Sequence, residues 1–217
     1  MALIFTQLAS DNFTRANEEP LNPANWTISP ELGLDLAVLN DVCVVGSDAT
    51  GSEIYTGIVS PADQYCAATI HAFDNINAPG LNGAVLLRLR IDPTGMIFWS
   101  ISLQGNGDGT TGLVAINEPD ETVFATATLG SVQPGDILLA AIVGNLLVVT
   151  YNGVQVVSLD TSADPIASGK TALRIAANSG QSLTSVSLFV TGGAAQLLLP
   201  PRASLPIFGT NKGPIIL

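Results

Sequence analysis

The single histidine, His71, is the first residue to test for chemistry, because a Ser–His–Asp site would have to use it. It lies in the apolar segment QYCAATIHAF, residues 64–73, and no nucleophile motif accompanies it there. This setting indicates a structural or surface role. We therefore assign no catalytic residue on the basis of this histidine.

Two cysteines, Cys43 and Cys66, could bind a metal or form a disulfide. They lack CxxC spacing, and two cysteines with one histidine in unrelated segments do not make a zinc site. Both lie in apolar segments, which favours small buried thiols. A disulfide between them stays open if their strands are neighbours, although a cytoplasmic origin argues against it.

Residues 168–171, SGKT, imitate the end of a phosphate-binding loop. That motif requires a glycine five positions before Gly169, and Asp164 stands there, so no nucleotide is expected. Calcium could find oxygen ligands in residues 48–53 and 105–112. No EF-hand spacing of aspartates supports it, so calcium stays open and no cofactor is predicted.

The charge of the chain limits its partners. The 217 residues include seven Lys and Arg and eighteen Asp and Glu, for a net charge of −11. Binding to nucleic acids and to anionic membranes depends on Lys and Arg, so neither partner is expected. Charged residues make up 12% of the chain, about half the usual ~25%. Either the surface is polar and uncharged or part of it is buried in an assembly, and both alternatives stay open.

The amino-terminal sequence MALIFTQLASDNF has neither the positive region nor the apolar length of a signal peptide. No apolar run reaches the ~18 residues of a membrane span. We expect the chain to be made in a cytoplasm, which would be that of a host cell if the protein is viral, and to carry no signal peptide.

The most regular stretch is residues 136–159, DILLAAIVGNLLVVTYNGVQVVSL, which reads as three strands. Gly144-Asn145 and Asn152-Gly153 separate the strands, and both dipeptides are strong signals for two-residue hairpin turns. The sequence therefore predicts an antiparallel meander that is too apolar to stand alone.

Other segments alternate with the two-residue period of a strand. Residues 84–91 place Arg88 and Arg90 together on one face, opposite an apolar face, and residues 96–104 place Trp99 on an apolar face. Residues 3–9 predict an edge strand. Many short strands with turn signals every 8–12 residues or so, and no long amphipathic helix, predict a β-sandwich or jelly roll.

Four stretches together carry a resemblance to a known family. They are DNFTRANEEPLNPANWT at 11–27, GAVLLRLRID at 83–92, GDILLAAIVGNLLVVTYNGVQVVSL at 135–159 and SVSLFVTGG at 185–193. They resemble the concanavalin A-like, laminin G-like jelly-roll modules of bacterial and phage proteins. The resemblance covers roughly residues 8–193 and implies an all-β jelly-roll β-sandwich. It implies no single function, because such modules bind glycans, bind proteins, cleave glycans or build structure.

Glycosidases among these modules use acidic residues that alternate along one strand, which places both carboxylates on one sheet face. No strand predicted here has that pattern. The densest acidic cluster, residues 118–121 (EPDE), contains Pro119 and falls at a predicted hairpin tip. We interpret it as a solvated turn and predict that the chain is not an enzyme.

Glycan binding usually requires exposed aromatic rings. Trp26 and Trp99 are predicted to lie in the core, so Tyr55, Tyr65 and Tyr151 remain as candidates. Nothing in the sequence distinguishes these tyrosines, and the ligand-binding residues therefore stay unassigned.

After the sandwich predicted for residues 1–193, residues 194–217 form a segment of different character. Four prolines exclude a regular helix or central strand, yet the segment is more apolar than a disordered tail. We predict an extended arm that either wraps its own domain or docks on a neighbouring subunit. Its contact residues are predicted to be Leu197, Leu198, Leu199, Leu205, Ile207, Phe208, Ile215, Ile216 and Leu217.

These features favour a non-enzymatic structural protein of a virus particle, such as a capsid decoration protein or a tail or fibre subunit of a bacteriophage. The protein would then be located in the virion, and its partners would be copies of itself or another virion protein. The alternative is a lectin-like, glycan-binding module for attachment to a host or another surface, which predicts exposed Tyr or Trp rings.

Overall fold

The computed structural model describes residues 3–30, 35–45, 50–73, 84–105, 111–117, 123–163, 166–176 and 184–196. These ranges contain fifteen β-strands and no helix, and so no helix that could cross a membrane. The strands are β1 (Leu3–Asp11), β2 (Trp26–Ile28), β3 (Leu36–Leu39), β4 (Val42–Val45), β5 (Thr50–Tyr55), β6 (Gln64–Ala72), β7 (Ala84–Ile91), β8 (Trp99–Gly105), β9 (Gly112–Asn117), β10 (Val123–Thr128), β11 (Ile137–Val143), β12 (Leu146–Tyr151), β13 (Val154–Asp160), β14 (Lys170–Ala176) and β15 (Ser185–Gln196).

The strands form two antiparallel sheets. The eight-stranded sheet has the order β13-β12-β11-β6-β15-β4-β3, and β1 also pairs with β15. The seven-stranded sheet has the order β10-β9-β8-β7-β14-β5-β2. The two sheets share one core, which confirms the predicted all-β jelly-roll sandwich.

The core lies between the inner faces of the two sheets. Leu87, Ile101 and Leu173 contribute from the seven-stranded sheet, and Leu138 and Phe189 contribute from the eight-stranded sheet. Each of these side chains is fully buried, and each burial contributes roughly 1.5–3 kcal/mol. The alternation in residues 84–91 and 96–104 therefore identifies Leu87 and Ile101 correctly as inner-face residues.

Both predicted hairpin turns are present in the eight-stranded sheet. Gly144 has a φ of 58°, whereas Asn152 and Gly153 both adopt left-handed φ values, of 51° and 77°. A left-handed first residue and a pair of left-handed residues are the two turn forms that match strand twist. The predicted meander is thus confirmed as β11, β12 and β13, paired in sequence.

The prediction that Arg88 and Arg90 share a face of β7 is wrong. The register of β14 against β7 shifts between Lys170 and Ala172, so that β7 carries an extra residue, and Arg90 adopts a φ of 53°. This bulge leaves Arg88 on the outer face of the seven-stranded sheet. It turns the Arg90 side chain towards the end of the sandwich where β7 ends.

At this end of the sandwich, Arg90 joins the two sheets. Its buried guanidinium donates hydrogen bonds to the carbonyl oxygens of Ala62 at 3.1 Å, Gly144 at 2.8 Å and Ile166 at 2.8 Å. Burial lowers the pKa of Arg90, and the charge of Asp63, 3.6 Å away, opposes this shift. Three carbonyl dipoles thus stabilise a buried cation between the sheets.

Strand β8 begins at Trp99, three residues later than the alternation from residue 96 predicts. The Asp92 carboxylate accepts hydrogen bonds from the backbone N–H groups of Met96 and Ile97, each at 3.0 Å. These bonds hold the segment in a turn before the sheet begins. Ile97 is consequently exposed and does not belong to the apolar inner face.

Strand β15 runs through Gly192-Gly193 to Gln196. Residues 194–196, the first three of the predicted arm, therefore belong to the eight-stranded sheet, where they pair with β1. Residues 197–217 lie outside the described residues, and so do all nine predicted contact residues of the arm. The arm and its docking remain predictions.

Candidate functional site

The polar segment between β1 and β2, residues 12–25, is held on the sandwich by aromatic packing at its ends. Trp26 is buried, and its ring centroid lies 5.0 Å from that of Tyr55, 5.2 Å from Phe189 and 6.2 Å from Phe13. Such ring pairs contribute about 0.5–1.5 kcal/mol beyond the area they bury. The segment therefore has a fixed base although most of its residues are polar.

Asp11, at the end of β1, binds three donors of this segment. Its carboxylate accepts hydrogen bonds from the Phe13 N–H at 2.8 Å, the Trp26 Nε1 at 2.8 Å and the Arg15 Nη1 at 2.5 Å. Phe13 has a φ of 56°, which is strained for an aromatic residue and is held by these contacts. The two ends of the stretch at residues 11–27, Asp11 with Phe13 and Trp26, thus form one structural unit.

The charge of Arg15 is balanced within the same segment. Its Nε donates to Glu18 Oε1 at 2.7 Å, and its Nη1 donates to Asp11. Burial alone would lower the pKa of Arg15, but the hydrogen bonds to Asp11 and Glu18 outweigh this effect and raise it. Since one guanidinium faces two carboxylates, the segment offers no net positive charge to a ligand.

An open depression of about 310 Å³ lies over this unit. We call it the amide pocket, and it is lined by Ser10, Asp11, Asn12, Arg15, Asn22 and Asn25. Its wall is fixed because Asn12 and Asn22 accept hydrogen bonds through Oδ1 from backbone N–H groups two residues later, at 3.1 and 3.0 Å. Among the described residues, no hydrogen bond occupies the Nδ2 groups of the three exposed asparagines.

A second depression of about 370 Å³ lies between residues 17–19 and the β3–β4 hairpin. Its lining is largely aliphatic, with Ala37, Val38, Val44 and Val45 beside the carboxylates of residues 18 and 19. It offers few convergent polar groups to orient a ligand. The amide pocket is therefore the better candidate site.

The outer face of the seven-stranded sheet is also polar, but it is buried. Arg88 Nη1 donates to Ser52 Oγ at 3.2 Å, and its guanidinium lies 4.0 Å above the centroid of the Phe98 ring. Ser100, Ser102, Gln104 and Arg174 extend the same face and are buried as well. In this structure, the face is not open to a ligand.

No acid–base pair lies on the described part of that outer face. Glu53 is the one carboxylate among the described strand residues of the seven-stranded sheet. It follows Ser52 and therefore points to the opposite, inner side. There its Oε1 accepts hydrogen bonds from the N–H groups of Leu21 and Leu36. The role of Glu53 is therefore structural, because its carboxylate holds the backbone of two other segments.

The tyrosines considered as exposed glycan platforms do not fit that role. Tyr55 and Tyr65 are buried, which removes both from the candidates. Tyr151 is half-buried, and its hydroxyl donates to Asp136. Trp26 and Trp99 are core residues, as predicted. The sequence could not exclude these tyrosines, because alternation along a strand does not show which of its faces other elements cover.

The remaining sequence candidates do not converge on a site. His71 is exposed on β6, and Cys43 and Cys66 are buried free thiols whose pKa values burial raises, which makes both unreactive. Within the described ranges, no three His, Cys, Asp or Glu side chains group as a metal site requires. The acidic cluster at 118–121 lies outside the described residues, as do residues 48–49 and 106–110 of the two segments considered for calcium, whereas residues 50–53 belong to β5.

No protein-family model matches this chain, and no curated protein matches it in sequence. Solved structures do match it in three dimensions. A carbohydrate binding module, CBM66 from Bacillus subtilis, has a TM-score of 0.55 at 16% identity, over 78% of this chain and 93% of that one. The carbohydrate recognition domain of Emp47p has a TM-score of 0.54 at 12% identity, over 87% and 94%.

An enzyme also shares this fold. SCLam, a non-specific endo-beta-1,3(4)-glucanase from family GH16, has a TM-score of 0.61 at 11% identity, over 90% of this chain and 93% of that one. At these identities the similarity establishes the fold alone. The chain has the concanavalin A-like jelly-roll fold, and its activity must be argued from its own residues.

Proposed function

We propose that this chain is a non-enzymatic module that binds neutral glycans in the amide pocket. The observation that carries the proposal is the set of three exposed asparagine amides around an open depression on a rigid base. The similarity in fold to a carbohydrate binding module and a carbohydrate recognition domain supports it.

The groups of the pocket suit sugar hydroxyls. Each asparagine presents two Nδ2 donors, and Ser10 presents a hydroxyl that both donates and accepts. A sugar ring offers neighbouring hydroxyls that accept and donate in the same way. Because the Oδ1 atoms of Asn12 and Asn22 are already bonded to the backbone, their amide groups are oriented before a ligand arrives. Such preorganisation lowers the entropic cost of binding.

The charge of the pocket selects neutral glycans. Arg15 is compensated by Asp11 and Glu18, and the whole chain carries a net charge of −11. An acidic glycan would approach a negative protein and find no uncompensated cation in the pocket. The carboxylate of Asp11 is occupied by three donors, so it is placed to hold the segment and not to transfer protons.

The test is calorimetric titration with a panel of neutral oligosaccharides, namely gluco-, galacto-, manno- and fructo-oligosaccharides, and with one uronic acid oligomer as the charged comparison. We expect at least one neutral oligomer to bind and the uronic acid oligomer to fail. Asn12→Ala combined with Asn25→Ala should weaken binding at least tenfold. Gln155→Ala removes an exposed amide on β13 and serves as the matched control.

Two results would overturn the proposal. The first is that no neutral oligosaccharide in the panel binds at millimolar concentration. The second is that the double asparagine variant and the Gln155→Ala control bind the oligosaccharide equally well, since the glycan would then lie elsewhere on the protein.

A structural role in a virus particle remains a separate proposal, because it rests on an arm outside the described residues. Its test is the mass in solution of the full chain and of a chain ending at Gln196, the last residue of β15. Ending the chain earlier would remove the partners of β1. If the shortened chain keeps the mass of the full chain, the arm does not assemble subunits.

A further inference from the structure

Strand β1 is an edge strand with an unusual apolar surface. Within the described ranges it pairs with β15 alone. Three of its large apolar side chains are exposed: Ile4 at 48%, Phe5 at 38% and Leu8 at 51%. An open edge presents unpaired N–H and C=O groups and is a ready template for another strand.

Residues 4–8 are exposed on both faces of the sheet. Phe5 lies against the ring of Tyr65, with centroids 4.9 Å apart, on the outer side. Ile4, its neighbour in the strand, points to the opposite side and is exposed as well. Both sheet faces around β1 are therefore open to a partner, and not the backbone edge alone.

The edge lacks charges and prolines over residues 3–10, although it carries one β-bulge, between Gln7 and Ala9. Proteins normally protect an exposed edge with charges, proline or short length. β1 is nine residues long, and residues 3–10 contain no charged residue and no proline. The opposite edge of the same sheet, β13, ends in Asp160 and exposes one large apolar side chain, Val154.

We propose that β1 pairs antiparallel with β1 of a second copy of this chain, about a two-fold axis, so that the eight-stranded sheet continues across a dimer. The charge of the molecule favours β1 as the place where two copies of the chain meet. Two copies with a net charge of −11 each repel one another, and an uncharged edge of eight residues lets them approach without facing carboxylates. Any strand paired with its own copy in this way is self-complementary.

The interface would bury Ile4, Phe5 and Leu8 from both copies. Ile4 and Leu8 are about half exposed in the single chain, so replacing them should cost the sandwich little, whereas Phe5 packs on Tyr65 and is left unchanged. The interface can therefore be tested by substitution without unfolding the sandwich.

The experiment is sedimentation velocity of the full chain over a hundredfold range of concentration. We expect the wild type to reach the mass of two chains. We expect Ile4→Lys combined with Leu8→Lys to keep the mass of one chain throughout, because lysine on both copies brings like charges together. Val154→Lys places lysine on the opposite edge as the matched control and should still dimerise.

Three outcomes would contradict the proposal. They are a wild type with the mass of one chain at every concentration, a double lysine variant that still associates, and a Val154→Lys variant that alone loses association. Circular dichroism and thermal unfolding of each variant confirm that the sandwich is intact. Association that survives the lysine substitutions but disappears in a chain ending at Gln196 would assign the interface to another surface.

Discussion

The indole Nε1 of Trp26 donates a 2.8 Å hydrogen bond to the carboxylate of Asp11, which joins the start of β2 to the end of β1. The same carboxylate binds the backbone of Phe13 and the guanidinium of Arg15. One side chain thus fixes both the base and the wall of the amide pocket. Removal of the Asp11 side chain should therefore lower the stability of the fold itself, whether or not a ligand is present.

Asp11→Ala should lower the free energy of unfolding by roughly 2–4 kcal/mol, because buried donors that lose their acceptor cost about 1–3 kcal/mol each. Urea denaturation followed by tryptophan fluorescence measures this loss. Asn12→Ala, at an exposed neighbouring position, is the control and should cost less than about 1 kcal/mol. Equal stability of the two variants would show that the Asp11 hydrogen bonds do not hold the segment.

The buried carboxyl of Glu53 makes stability depend on pH. Burial raises its pKa from 4.5 to about 7, and the N–H groups of Leu21 and Leu36 oppose the shift only in part. The native carboxyl therefore keeps its proton at pH values where the unfolded carboxyl has lost it. The stability that it contributes is complete below pH 4.5 and is lost as the pH rises to about 7.

We expect the free energy of unfolding to fall by roughly 2–3 kcal/mol between about pH 5 and pH 8, as a pKa difference of this size requires. Glu53→Gln keeps an acceptor for both N–H groups and cannot ionise, so its stability should stay level over the same range. Urea denaturation at several pH values compares the two proteins. Parallel pH profiles would exclude Glu53 as the source.

The two hairpin turns should respond differently to alanine. Asn152 has a left-handed φ, accepts a hydrogen bond from the Ile137 N–H at 2.8 Å and donates one to Asp136 at 2.8 Å. Asn152→Ala should cost about 1–3 kcal/mol, since it loses both bonds and strains the backbone. Asn145→Ala, in the neighbouring turn, should cost less than about 0.5 kcal/mol because Asn145 is not left-handed.

The pair Gly192 and Gly193 offers a matched test of the β1–β15 pairing. A Cβ atom on Gly192 would lie 2.0 Å from the carbonyl oxygen of Thr6, whereas one on Gly193 would have its first neighbour 3.6 Å away, in the Pro61 ring. Gly192→Ala should displace β1, and Gly193→Ala should be tolerated. Hydrogen exchange of the β1 amides measures the effect, and equal protection in both variants would contradict it.

The sequence predicts the sandwich and its hairpins because both depend on local signals. Alternation identifies inner-face residues such as Leu87, and Asn152-Gly153 specifies a turn by its backbone preference alone. The errors arise where contacts other than alternation decide. The bulge at Arg90 depends on pairing with the distant strand β14, and the late start of β8 depends on local hydrogen bonds from the Asp92 side chain to its own loop.

The amide pocket could not be predicted from the sequence. Residues 11–25 read as a polar turn region, and the abundance of asparagine there is the one local signal of the site. The pocket exists because Trp26 and Phe189, which are far apart in the chain, pack together beneath it. Expectations that relied on exposed aromatic rings led instead to tyrosines such as Tyr55 and Tyr65, which pairing and packing bury.

The amide pocket begins where β1 ends, at Ser10 and Asp11. If two chains pair through β1 with Thr6 near the axis, each pocket lies about five residues from that axis. At about 3.4 Å per residue, the two pockets stand roughly 35 Å apart. A long polysaccharide could then occupy both at once, so that avidity along the polymer would give tight retention from two individually weak sites.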